Sequence, residues 1–151
     1  MLTNTDGMQK LRQQGGIHRI LAAMKNFESS EAVQRNACAV LGNFVAGPTT
    51  LNQEALSEQG GGEAILRAMQ NHLDTAPVQQ AACQALYFLG WGQESICIDI
   101  QEGGGIELIK RSVLAHPYHH GVQYWAKNAK AILLGQDDVA NPETGKGESK
   151  S

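Results

Sequence analysis

One stretch of this chain is written three times, and the repetition restricts the fold more than any other feature does. The middle copy is the clearest: Gly60-Gly61-Gly62-Glu63-Ala64-Ile65-Leu66-Arg67-Ala68-Met69, followed by Val78-Gln79-Gln80-Ala81-Ala82-Cys83-Gln84-Ala85-Leu86. Shifted back by 45 residues, it lands on Gly15-Gly16-Ile17 through Met24 and on Val33-Gln34-Arg35-Asn36-Ala37-Cys38-Ala39-Val40-Leu41. Shifted forward by 44, it meets Gly104-Gly105-Ile106, Ile109 and Val113, then Val122-Gln123, Ala126 and Ala129. A unit of this length, built from a glycine break and helical segments, buries its apolar face only by stacking on a neighbour, as in a solenoid.

Within each unit the apolar spacing predicts three helices. The first unit has Met8 to Gln14, then Ile17, Ile20, Leu21 and Met24 to about Asn26, then a longer helix from Ser30, a candidate N-cap, to Ala46. Gly47-Pro48 closes it, because proline does not continue a helix. The second unit follows with Leu51 to Gln59, Glu63 to Asn71 and Ala76 to Gly90. The third has Glu94 to Glu102, Ile106 to Ala115 and His119 to Leu134. Units at about 8–48, 49–92 and 93–135 therefore make one repeat domain over 8–135, with a flexible N-terminus at 1–7. Residues 136–151 are small, polar and glycine-bearing, and are expected to form a disordered tail.

The composition narrows the function classes. At 42% apolar, 18% charged and a net charge of −3, the chain has the make-up of a soluble globular protein and lacks the basic character that draws nucleic acid or anionic membranes. No apolar run reaches the roughly 18 to 20 residues needed to cross a bilayer, and residues 1–14 lack a secretory layout. The expected location is cytoplasmic, or nuclear. Cys38 and Cys83 fill the same slot of successive units beside small alanines, as buried hydrophobes would, and the odd total of three cysteines weighs against a disulfide framework.

Three helices per unit, Gly-Gly-Ile opening the second, Val-Gln-x-x-Ala opening the third and Ala-Leu near its centre resemble the armadillo repeat over about Met8 to Gly135. The resemblance implies an all-α, right-handed alpha-alpha superhelix whose third helices line a concave groove. It also implies an adaptor that binds partner proteins without catalysis, and no cofactor. The third unit departs from the pattern, with Lys110, Lys127 and Lys130 where the second has Leu66, Cys83 and Leu86. An unpaired buried charge costs several kcal/mol. These lysines are therefore expected to face water, and the simplest account is a terminal capping repeat at which the array ends.

On the concave side the aligned third helices offer Arg35, Ala39 and Asn43, then Gln80, Gln84 and Phe88, then Tyr124, Asn128 and Ile132. In many peptide-binding armadillo proteins an asparagine at the Asn43 position holds the main chain of an extended peptide. Phe88 and Ile132 replace it in the later units, so a continuous asparagine ladder is absent. Phe88, Tyr124 and Trp91 near the middle instead favour burial of apolar partner side chains. The candidate partner-binding residues are Arg35, Asn43, Gln80, Gln84, Phe88, Trp91, Tyr124 and Asn128.

Nothing in the sequence reads as an active site. His116, His119 and His120 have metal-like spacing, but a further convergent ligand is missing, and His116 repeats His72 after the second helix, where a histidine meets helix-terminal carbonyls. The glycine triplets at 60–62 and 103–105 lack the Gly-Lys-Ser/Thr ending of a phosphate loop and recur with the repeat. The expectation is a non-enzymatic scaffold for a protein or peptide partner. The alternative is a self-associating module that uses its N-terminal edge around Met8, Leu11 and Phe27, or a regulatory fragment of a larger multidomain protein.

Overall fold

The computed structural model describes residues 4–136, and all the elements among them are α-helices. They come in three sets of three. The first set is α1 (Asn4–Gln13), α2 (Gly16–Asn26) and α3 (Glu31–Val45); the second is α4 (Thr50–Glu58), α5 (Gly61–Asn71) and α6 (Ala76–Gly90). The third is α7 (Glu94–Glu102), α8 (Gly105–Ala115) and α9 (His120–Leu133). Helix α1 begins at Asn4, inside the segment 1–7 expected to be a flexible N-terminus. Apolar spacing begins only at Met8, so the polar first turn leaves no trace in the pattern, whereas Lys10 and Arg12 in the last turn suit the negative end of the helix dipole. Of the expected tail, residues 137–151 lie outside the described residues.

The double glycine divides two tasks between its members. Gly15, Gly60 and Gly104 precede the second helices with φ of +73°, +84° and +90°, a region in which a side chain is strained. The next glycine admits the end of the first helix. A Cβ on Gly16 would stand 3.0 Å from the Leu11 carbonyl oxygen, one on Gly61 2.8 Å from that of Leu56, and one on Gly105 2.9 Å from that of Ile100.

The Val-Gln motif fastens the second helix to the third. Gln34 Nε2 donates to the carbonyls of Met24 and Phe27 at 3.0 and 2.9 Å. Gln79 Nε2 does the same to Met69 and His72 at 3.0 and 2.8 Å, and Gln123 Nε2 to Val113 and His116 at 3.1 and 3.0 Å. These carbonyls end the second helices, where intrahelical donors run out. Ser30 caps α3 as expected, its Oγ accepting the Val33 N–H at 3.2 Å, and His119 Nδ1 caps α9 by accepting that of Val122 at 3.1 Å.

Successive sets pack helix against equivalent helix: α3 against α6 and α6 against α9, with α2 against α5 and α5 against α8. Small residues allow the approach, since a Cβ on Gly42 would already touch Ala85 Cα at 3.4 Å. Two histidines tie the sets together. His72 Nε2 meets the Glu28 carbonyl at 2.6 Å, and His116 Nε2 meets that of Leu73 at 2.7 Å; a carbonyl only accepts, so each ring nitrogen carries the hydrogen. The matching residue of the first set is Phe27, which is 57% exposed.

Leu41, Phe44, Ile65, Met69, Leu86, Leu89, Ile109 and Leu133 fill the core. Cys38 and Cys83 lie fully inside it, and burial pushes each thiol up to about 12, so both stay protonated apolar spacers. Leu66, Cys83 and Leu86 are buried, whereas Lys110, Lys127 and Lys130 at the same slots of the third set are exposed. Among the described residues no helix is long and apolar enough to cross a membrane.

Candidate partner-binding face

Packing along α3, α6 and α9 leaves one line of side chains on each of these helices, and the eight candidate residues meet different fates. Arg35 and Asn43 on α3 are exposed, and so are Trp91 and Tyr124. Gln80, Gln84 and Phe88 on α6 are half-buried. Gln80 is held at the joint with α9, where its amide lies so close to Gly121 that a Cβ there would overlap it. Asn128 is buried, and its Nδ2 donates to the Tyr124 carbonyl at 3.0 Å, which turns the amide into the helix rather than outward. The outward line is therefore broken on α9, and its polar members lie mainly on α3.

The aromatic members converge. Tyr87 is fully buried, with its ring centroid 5.2 Å from that of Phe88, 5.3 Å from that of Trp91 and 5.7 Å from that of Trp125. Trp125 in turn lies 5.8 Å from Phe88 and 5.0 Å from Tyr124. Mostly edge-to-face contacts of this kind add to what burial alone contributes. Burial, with Tyr124 nearby, raises the Tyr87 phenol well above its ordinary value, so it stays neutral. The cluster is a rigid backing, and Trp91 and Tyr124 are its exposed ends.

A cavity of about 410 Å³ adjoins it, lined on one side by Phe88 and Trp91 and on the other by the turn from Val45 to Thr50. Its rim is fixed by Gln53 in α4, whose Nε2 donates to the carbonyls of Phe88 and Trp91, both at 2.8 Å. A polar side chain from one helix thus anchors the C-terminal end of α6 and with it the aromatic wall. Trp91 itself is 41% exposed. Phe88 and Trp91 thus form an aromatic wall to the cavity.

No family model, curated protein or solved structure matches the chain. What the face can bind follows from its own geometry. Among the described residues no three His, Cys, Asp or Glu side chains gather as metal ligands. Of the histidine cluster, His116 is engaged with Leu73 and His119 with Val122, while His120 is exposed. At the leading end Leu11 is half-buried against the core and Phe27 is exposed; the side chain of Met8 lies outside the described residues.

The sequence pattern did not single out Tyr87 and Trp125, which hold the face together. Their signal was the adjacency of Tyr87-Phe88 and Tyr124-Trp125, with Trp91 four residues after Tyr87. On a helix, residues four apart stack on one side, so a ring cluster joining α6 to α9 was within reach of that spacing.

Proposed function

We propose that the chain is an armadillo-like, right-handed superhelix of three units that serves as a non-catalytic scaffold or adaptor. It grips an extended segment of a partner protein along the third helices, with an apolar partner side chain in the cavity beside Trp91. The observation that carries this reading is the half-exposed indole of Trp91, braced from below by Tyr87 and from the side by the α6 terminus that Gln53 fixes. Preorganised aromatic side chains next to a pocket are the usual energetic centres of protein interfaces, because little freedom is lost when they are covered. Exposed Asn43 and Arg35 on α3 supply polar contacts for the partner main chain on one flank.

Peptide display against the intact chain tests the proposal. Selected peptides should carry a large apolar residue and should bind at least ~10-fold more weakly to Trp91→Ala, with a smaller loss for Asn43→Ala, while the helical circular dichroism is unchanged. Selected peptides that bind both variants as well as the parent would place the partner elsewhere.

A further inference from the structure

Between α8 and α9 lies a second surface, separate from the Trp91 cavity and sharing only Tyr124 with its aromatic backing: an open groove of about 770 Å³ lined by Ile109, Val113, Ala126 and the exposed Leu114 and Tyr124. One unit earlier the corresponding residues Ile65, Met69 and Ala82 are fully buried; here Ile109 and Ala126 are buried within the third set itself, while Val113 is half-buried and Leu114 and Tyr124 are exposed. The groove thus stands where, one unit earlier, α8 and α9 pack on α5 and α6, and its apolar exposure is concentrated at Val113, Leu114 and Tyr124.

Its charge differs from that of the inner copies. Lys110 projects from α8 on one side, and Lys127 and Lys130, three residues apart, from α9 on the other. All three are exposed, and none pairs with a carboxylate among the described residues. We propose that this groove docks an amphipathic helix of a partner protein, whose apolar stripe fills the floor and whose carboxylates, on both flanks of the stripe, meet the lysines. The apolar floor calls for aliphatic side chains, and basic residues on both walls call for acids on both flanks. A second copy of the chain suits the groove less well. At its leading end the slot filled by Ala64 and Leu108 in the later units holds the exposed Arg19, which would set a cation against the lysines.

Fluorescence anisotropy with the intact chain and two labelled synthetic helices tests this. Each probe has about 18 residues with leucines at helical i, i+3, i+4 and i+7 spacing; one is flanked by glutamates and the other by lysines. The acidic helix should bind saturably in the micromolar range, and more weakly as salt rises. The double variant Lys127→Glu with Lys130→Glu should weaken it at least ~10-fold and should gain affinity for the lysine-flanked helix, an exchange that misfolding cannot imitate. Several results would overturn the proposal: no binding below ~1 mM, equal binding of both probes, or acidic binding unchanged in the variant. So would vesicles rich in phosphatidylserine, or a concentration-dependent dimer in light scattering, that compete for these lysines while the acidic helix does not bind.

Discussion

Leu86→Lys is expected to leave the chain largely unfolded at 25 °C, whereas Lys130→Leu, at the matching slot one unit later, should change the melting temperature by no more than a few degrees. Leu86 is fully buried within α6 between the first and third sets, and no carboxylate lines its surroundings in the core. An ammonium placed there would be desolvated without a partner, at a cost of several kcal/mol, and the transfer energy of the leucine, roughly 2 kcal/mol, would be lost as well. Together these approach the whole stability of a domain of this size, about 5–15 kcal/mol. Lys130 already faces water, so removing its charge relieves nothing and buries nothing. Thermal unfolding followed by circular dichroism distinguishes the two; a Leu86→Lys protein that melts close to the parent would mean that equal positions in the repeat do not occupy equal places in the fold.

Gln79→Ala should cost more than Gln34→Ala, although both remove the same clamp. Each glutamine satisfies two carbonyls at the end of its second helix, but Gln79 is fully buried and its Oε1 also accepts from the Ser112 hydroxyl of α8. Deleting it orphans three groups in a dry interior at the joint of the second and third sets. With a penalty of about 1–3 kcal/mol for each buried polar group left unpaired, and partial relaxation, the expected loss is roughly 3–5 kcal/mol. Gln34 holds two carbonyls, and the Phe27 carbonyl lies beside an exposed residue where water can replace the amide, so its loss should be nearer ~1–2 kcal/mol. Urea denaturation of the two variants measures the difference; equal losses would show that the Ser112 link contributes little.

Most of the architecture was readable because the same demand recurs. A left-handed turn calls for Gly15, Gly60 and Gly104, a helix end calls for Gln34, Gln79 and Gln123, and a crowded joint calls for Cys38 and Cys83. Exposure of the three lysines was readable for the opposite reason, since the slots they fill are apolar in the other units. The face was harder to read, because its members depart from the repeat. Tyr87 corresponds to Gly42, which has no side chain, so nothing in the first unit announces a buried ring there. Trp125 corresponds to Ala81 and Asn36, and it fills room that smaller residues leave open. Asn128 stands on the outward line of the pattern, yet the nearby Tyr124 carbonyl and the packing of α9 draw its amide inward. Spacing reports which side of a helix a residue occupies; whether the side chain stays free depends on its neighbours across the joint.

A binding face along α3, α6 and α9 exists only if the three sets share one interior rather than fold as separate pieces. Differential scanning calorimetry of the intact chain addresses this directly. Because α3, α6 and α9 are joined along their length and His72 and His116 each reach a carbonyl of the preceding set, the chain should melt in a single transition with equal calorimetric and van't Hoff enthalpies. Two or more separable transitions, or a calorimetric enthalpy well above the van't Hoff value, would contradict it.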